Sequence, residues 1–515
     1  MKRRLSTTLR RLVWAGVTAT IAAVILGIAA SAWAQERKLG TIGPPPRKSP
    51  ERQTAAEGMP PLPLPVVPLR RSEPKAEPEA PLFVGKLTYG TYQDYMPNPG
   101  DLDNLMRHVR YNLGLWYGQR LVTMEEVVAG YKAGKPCRIP MLYVTGYQPF
   151  ELDDEQRAAV RDYLLSGGSL MGDAALGSPA FAQSFIEEVQ RMFPQRPFDV
   201  LQVDHPVFRA FYPYANVHYF EVEKGWQQTS QGPPQLLGMN IGTRTAVILT
   251  PFDMTCGWDE FYAPDSSLKV PDAPRTQAIV PGDAIRLGLN VVAYVAALRQ
   301  VADVEAVTRE IQAPATRPRQ EFVLAQLRHH GDWNPDPNSM YQWLRHLSNE
   351  SSLAVGFDLK QVDADEAQLA AYPFVFMTGF RDPRLSDAEV DALRNHLGAG
   401  GFLFINNCSG YNEFDRHVRN LVARLFPDQE LQPIGGDHAL LQSFFAIDGV
   451  RDRVTAAPRP ADFEGITVKD RLVLVYSKND MLGHLKQVSD PFGNGYDAES
   501  CRKLALNVVA YALQS

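Results

Sequence analysis

The sequence specifies an α/β fold made twice: two tandem domains, each a parallel sheet flanked by helices. A gapless internal repeat carries the first half of this statement. Pro140 to Ala182 and Pro373 to Asp415 follow one plan at a constant offset of 233, which pairs Thr145 with Thr378, Gly168 with Gly401 and Phe193 with Phe426. Continuous apolar strands alternating with capped amphipathic helices carry the second half, because strands buried on both faces belong to parallel sheets. A chain of 515 residues also exceeds what one core accommodates.

The elements follow in order. Lys2, Arg3, Arg4, Arg10 and Arg11 precede an uncharged run from Leu12 to Ala34, and Ala32-Trp33-Ala34 offers a small-x-small cleavage site before Gln35. Residues 1–34 therefore read as a signal peptide, and the expected location is periplasmic or secreted. The alternative is an uncleaved anchor, since this run is long enough to span a bilayer. Residues 35–81 read as a disordered linker: 12 of the 38 residues from Pro44 to Pro81 are proline, which favours an extended spacer over a core.

The first repeat covers residues 83–299. Phe83 to Tyr89 is a strand, Leu102 to Tyr111 a helix, and Pro140 to Thr145 a fully apolar strand. Asp153 caps the next helix with Gln156 as its box partner, and Gly167-Gly168 ends it. Helix Ala180–Phe193, strand Thr245–Leu249 and helix Ile285–Leu298 follow. The second repeat covers residues 321–513. Its elements are strand Phe322–Leu327, helix Met340–Ser348, strand Phe374–Thr378, a helix boxed by Ser386 and Glu389, and strand Gly401–Ile405. Helix Asn412–Leu425, strand Leu472–Tyr476 and helix Ser500–Leu513 complete it. Asn290-Val291-Val292-Ala293-Tyr294 and Asn507-Val508-Val509-Ala510-Tyr511 close the two copies alike.

Composition narrows function only coarsely. A net charge of −6 gives no basic face for nucleic acid, so none is expected as a partner. The four cysteines, Cys137, Cys256, Cys408 and Cys501, follow no metal-ligand spacing, and a disulfide pairing is not assignable from sequence.

Several shared motifs resemble the family of domain of unknown function 4159. They are the aromatic-x-Thr-Gly strand ends at Tyr143–Gly146 and Phe376–Gly379, the Gly-Gly turns, and the helix ends at Met192–Pro194 and Leu425–Pro427. The Asp-His pairs, the run Asp253–Trp258 and the Asn-x-x-x-Tyr terminal helices complete the set. The resemblance covers nearly all of residues 83–513. It implies the flavodoxin-like sheet shared with class I glutamine amidotransferases, and little chemistry.

By that resemblance the turn after Ile405 stands where amidotransferases place a nucleophile in Gly-x-Cys-x-Gly. Here it reads Asn406-Asn407-Cys408-Ser409-Gly410, while repeat one has Asp173-Ala174-Ala175-Leu176-Gly177, with no nucleophile. The catalytic expectation is Cys408 with His438 as base and Asp437 as its orienting acid. The plainer reading is a buried thiol. A ligand pocket at the sheet ends would draw on Thr145, Gly146, Asp173, Asp204, His205, Thr378, Gly379, Asn406 and Asn407.

Asp204-His205 and Asp437-His438 recur in both copies, as a shared function or a shared turn would require. Seven of the ten histidines lie in repeat two, and His329, His330 and Asp332 follow its first strand. That trio is a candidate metal site without a tight motif, and surface or turn histidines are the plainer reading. No cofactor is expected. Three functions remain, in this order: a non-catalytic binding or assembly module of the envelope, with small molecules or envelope proteins as partners; a cysteine hydrolase in repeat two; and metal-dependent hydrolysis through His329, His330 and Asp332.

Overall fold

The computed structural model describes residues 80–223, 226–259, 275–307, 321–486 and 488–514. The signal segment and nearly all of the linker lie outside these residues. The two repeats belong to one compact unit.

Repeat one contains β1 (Leu82–Thr88), β2 (Gly118–Thr123), β3 (Met141–Gly146), β4 (Ser169–Ala174), β5 (Asp199–Val200), β6 (Val217–Glu223), β7 (Trp226–Gly232), β8 (Leu237–Ile241), β9 (Arg244–Thr250) and β10 (Arg275–Ile279). Repeat two contains β11 (Ala325–Leu327), β12 (Lys360–Val362), β13 (Phe374–Gly379), β14 (Phe402–Asn407), β15 (Gln432–Pro433), β16 (Val450–Arg451), β17 (Pro458–Arg459), β18 (Phe463–Val468) and β19 (Arg471–Ser477). The main sheets run β2-β1-β3-β4-β9-β8-β5 and β12-β11-β13-β14-β19-β18-β15, one order written twice. The first five strands of each are parallel. Counted among themselves they follow the 2-1-3-4-5 order of flavodoxin-like sheets. The last two strands are antiparallel additions to that core.

Both faces of each sheet are buried, which explains the uninterrupted apolar strands. Successive side chains point to opposite faces. Met141 and Tyr143 therefore pack in one core layer and Leu142 and Val144 in the other. Phe374 and Phe376 are separated from Val375 and Met377 in the same way. The capping boxes form as expected, Asp153 with Gln156 and Ser386 with Glu389. Among the described residues no single helix is long and apolar enough to cross a membrane.

The copies differ in two places. The offset of 233 runs unbroken to Val217 and Val450, the first residues of β6 and β16. The hairpin that follows is long in repeat one, where β10 joins it as a third strand, and short in repeat two. The hairpin ends at Gly232 and Arg459, which pair with those first residues, so the offset from there is 227. A second length difference precedes the terminal helices, where Asn290 and Asn507 stand 217 apart.

The terminal helices explain their own motif. Asn290 accepts the N–H groups of Phe211 (3.1 Å) and Tyr212 (2.7 Å), and Asn507 accepts that of Phe445 (2.8 Å). The tyrosine four residues on packs its ring against the histidine of the Asp-His pair, at 5.6 Å for Tyr294 with His205 and for Tyr511 with His438.

Candidate functional site at the carboxyl ends of the sheets

Each fourth strand ends in a turn that forces a side-chain-bearing residue into left-handed backbone. That residue is Leu176 (φ 57°) in repeat one and Ser409 (φ 57°) in repeat two. The conformation costs roughly 1–2 kcal/mol for an L-residue. A buried carboxylate offsets it in both copies by accepting the strained N–H: Asp253 Oδ2 from Leu176 at 2.6 Å, and Asp480 Oδ2 from Ser409 at 3.0 Å. The strand-end side chain braces the carboxylate's own loop. Asp173 Oδ2 accepts the Met254 N–H at 3.1 Å, and Asn406 Oδ1 accepts that of Met481 at 2.9 Å.

These bonds account for much of the expected pocket. Asp173, Asn406 and Asn407 are 0–1% exposed and brace the turns; Asn407 Nδ2 donates to Tyr411 O at 2.9 Å. Thr145 and Thr378 are buried beside them, and the Thr378 hydroxyl donates to Asn406 O at 2.9 Å. The glycines of the Thr-Gly motif make room for a neighbour. A Cβ on Gly146 would lie 1.9 Å from the Tyr89 hydroxyl, and one on Gly379 would lie 3.2 Å from His329 Nε2. Tyr89 and His329 each donate to the carbonyl of the preceding threonine, at 3.1 and 2.9 Å. They are counterparts, both holding the end of the first strand to the third.

Asn406 is a regular strand residue, Cys408 precedes the left-handed position, and repeat one fills that position with an apolar leucine. The shared strain is therefore structural. Cys408 is 2% exposed, and burial, with Asp480 next, pushes its thiol well above the ordinary range. That is the opposite of what a thiolate nucleophile needs.

His438 is not beside it. Its Nδ1 accepts the Leu440 N–H at 3.1 Å, and its ring packs on Tyr511, which touches Phe402 at the start of β14. Cys408 follows the other end of that six-residue strand, about 20 Å away at ~3.3 Å per residue. His205 does the same work in repeat one: Nδ1 accepts the Val207 N–H at 3.2 Å and Nε2 donates to Thr245 at 3.0 Å. Burial lowers its pKa to about 3 and keeps it neutral. The histidines of the Asp-His pairs cap turns at the amino ends of the sheets, so Asp437 and His438 form no dyad with Cys408, and Asp204 and His205 share no pocket with Asp173.

The metal candidates also separate. His329 Nδ1 accepts the Gly331 N–H while Nε2 donates to Thr378, which uses both nitrogens. His330 is exposed and faces Glu389 at 3.0 Å. Asp332 accepts the Phe380 and Arg381 N–H groups at 3.1 and 3.2 Å. No group of three or more His, Cys, Asp or Glu among the described residues is arranged to hold a metal ion. All four cysteines are free.

What covers the carboxyl end of repeat two is repeat one. Arg381, 5% exposed, donates to Gly238 O at 3.0 Å, and Asn240 donates to Asp332 at 3.3 Å. Arg384 pairs with Asp199, and Arg416 with Asp204 at 2.9 Å. The crevice between the first and third strands, where this strand order binds ligands, is thus filled by the β5–β8 edge of the other copy. In repeat one the same crevice is closed by Tyr89 and by the helix Tyr92–Tyr95, whose Asp94 carbonyl would lie 2.8 Å from a Cβ on Gly146.

No curated protein matches the chain. Residues 84–296 and 323–513, which together include both sheets, match the model of the family described as Domain of unknown function (DUF4159). With most of its length covered by these two matches, the chain belongs to the DUF4159 family as a tandem pair of its domains.

Proposed function

We propose that this is an exported, non-catalytic binding module of the cell envelope. The observation that carries the non-catalytic part is the burial of the Cys408 sulfur at the closed end of the sheet, a strand's length from the nearest expected base. The charged amino terminus, the uncharged run to Ala34 and the Ala-Trp-Ala triplet support export. On this reading the chain keeps an amidotransferase-like scaffold without its chemistry. Repeat one serves as the cover of repeat two, and binding falls to surfaces that the cover leaves open.

Alkylation of the native chain with iodoacetamide tests it. Cys408 is expected to react more slowly than a free thiol and to reach full labelling only in denaturant. Rapid labelling with a midpoint well below pH 8, abolished by His438→Ala, would establish the hydrolase instead.

A further inference from the structure

Repeat two carries a cleft of about 560 Å³ at the base of its short hairpin, where β15, β17, β18 and the end of β19 meet. Its volume lies within the range of small-ligand sites. Three glycines, Gly435, Gly436 and Gly449, form part of the wall. A Cβ on Gly435 or Gly436 would meet nothing within 4 Å.

The offsets allow a position-by-position comparison with repeat one. Gly435-Gly436 stand where repeat one has Gln202-Val203. The charged residues of the cleft, Asp448, Arg459, Asp462, Glu464 and Lys478, stand where repeat one has Ala215, Gly232, Gln235, Leu237 and Pro251. None of those five is charged. At the next position Asn479 replaces Phe252, whose ring packs on Tyr219 at 4.6 Å. The two copies share their buried braces down to single hydrogen bonds, yet here every charged side chain belongs to one copy.

The charges divide into a built floor and a free rim. Asp462 is fixed by Arg459 and by Asn479 Nδ2 at 2.7 Å, and Glu464 is clamped by Arg419 at 3.0 Å. Asp448 and Lys478 are exposed, come from different loops, and form no ion pair among the described residues. Ile434, Ile447 and Phe463 supply apolar wall to the same cleft. A carboxylate and an ammonium that line one partly apolar cleft without pairing among the described residues are complementary to a ligand with an ammonium at one end and a carboxylate at the other.

We propose that the cleft binds a short peptide through its free termini, Asp448 facing the peptide's ammonium and Lys478 its carboxylate. The proposal deepens the binding-module reading and rests on it.

Titration calorimetry of the full chain with the tripeptide Ala-Leu-Ala tests it. The unmodified peptide should bind, and N-acetylation or C-amidation should each weaken binding at least tenfold. Lys478→Ala should do the same. The double substitution Gly435→Gln with Gly436→Val, which installs the residues repeat one already carries at these positions, should abolish binding while leaving the thermal transition in place. Absence of heat at millimolar peptide, equal binding of the capped peptides, or binding that survives both sets of substitutions overturns the proposal and leaves the non-catalytic reading standing. Cleavage of the peptide, read by mass spectrometry of the same samples, would sink the non-catalytic reading while leaving the cleft as the peptide's site.

Discussion

Asp173 and Asn406 occupy one position in the two sheets, and each accepts the N–H of the methionine that follows the bracing carboxylate. In repeat two the Asn406 amide also donates to Asp480 Oδ1 at 3.1 Å. In repeat one an ionised Asp173 would set two carboxylates against each other. Burial first, and Asp253 second, push the Asp173 carboxyl well above its usual range. Protonation removes that repulsion, although Asp173 Oδ1 has no hydrogen-bond partner among the described residues and so does not reproduce the bond that the asparagine amide makes to Asp480.

A pH dependence follows from that proton. A carboxyl whose folded pKa is raised contributes stability that is fully present below its unfolded value of about 3.9 and is lost as pH rises through the folded value. Asp173→Asn removes this loss. The variant should match the wild type near pH 4 and exceed it increasingly toward pH 8. Asn406→Asp should do the reverse, losing about 1–3 kcal/mol at pH 8, where a buried acceptor would face a second charge. Denaturant melts at the two pH values check both, and a parallel pH profile for Asp173→Asn would refute the proton.

Lys486 joins the two repeats. Its side chain is 3% exposed, and its ammonium lies 2.8 Å from Glu305, just past the end of the first copy, and 2.9 Å from Asp336 of the second. Burial opposes its charge, but Asp336 and Glu305 together hold its pKa above the ordinary value. Lys486→Ala would leave two buried carboxylates uncompensated, at a cost of about 3–5 kcal/mol. Replacement of all three by apolar residues of similar size should cost much less. Urea unfolding of both variants separates the pair's structural role from the cost of stranding its partners.

Much of this fold was legible because the sequence states it twice. The offset of 233 identified equivalent strands, and both capping boxes fell where Asp153 and Ser386 predicted them. The edge strands β5 and β15 escaped notice because they have two residues each and bury little. The site was less legible. Cys408, His438 and Asp437 are types that do chemistry, but residue type does not reveal which end of a strand a loop returns to. Asp253 and Asp480 carry the turns, and their signal was available as the Asp-Met dipeptide in both copies, offset by 227. The cover of repeat two by repeat one had no sequence signal, since Gly238 and Asn240 act there through a backbone carbonyl and one amide.

Glu413 is the titrating group of that cover. It lies at the start of the helix Asn412–Leu425, facing Arg381 and Asp332 of its own repeat, Asp204 of the other, and Arg416. Burial raises its pKa to about 7, with Arg381 opposing and Asp332 adding to the rise. The sign is that of Asp173: stability from the bound proton is present below the unfolded value near 4.3 and is lost as pH rises through 7. Glu413→Gln should therefore stabilise the chain at pH 8 by about 1–3 kcal/mol and have little effect at pH 5. Thermal scans at both pH values decide it.

The left-handed residue offers the last test, because the two copies place different side chains on one backbone. Glycine adopts this conformation without the penalty an L-residue meets, but its unfolded chain is freer by roughly 0.5–1 kcal/mol. At Ser409, 3% exposed, the side chain contributes little packing, so Ser409→Gly should change stability by less than about 1 kcal/mol. At Leu176, 4% exposed, glycine relieves the same strain but removes a buried isobutyl group, and Leu176→Gly should cost about 2–4 kcal/mol. If strain alone governed the turn, the two substitutions would have equal effects. If the Ser409 hydroxyl had a role of its own, Ser409→Gly would cost as much as the leucine change and Ser409→Ala would cost nearly as much. Denaturant midpoints of the three variants, measured on the full chain, tell these outcomes apart.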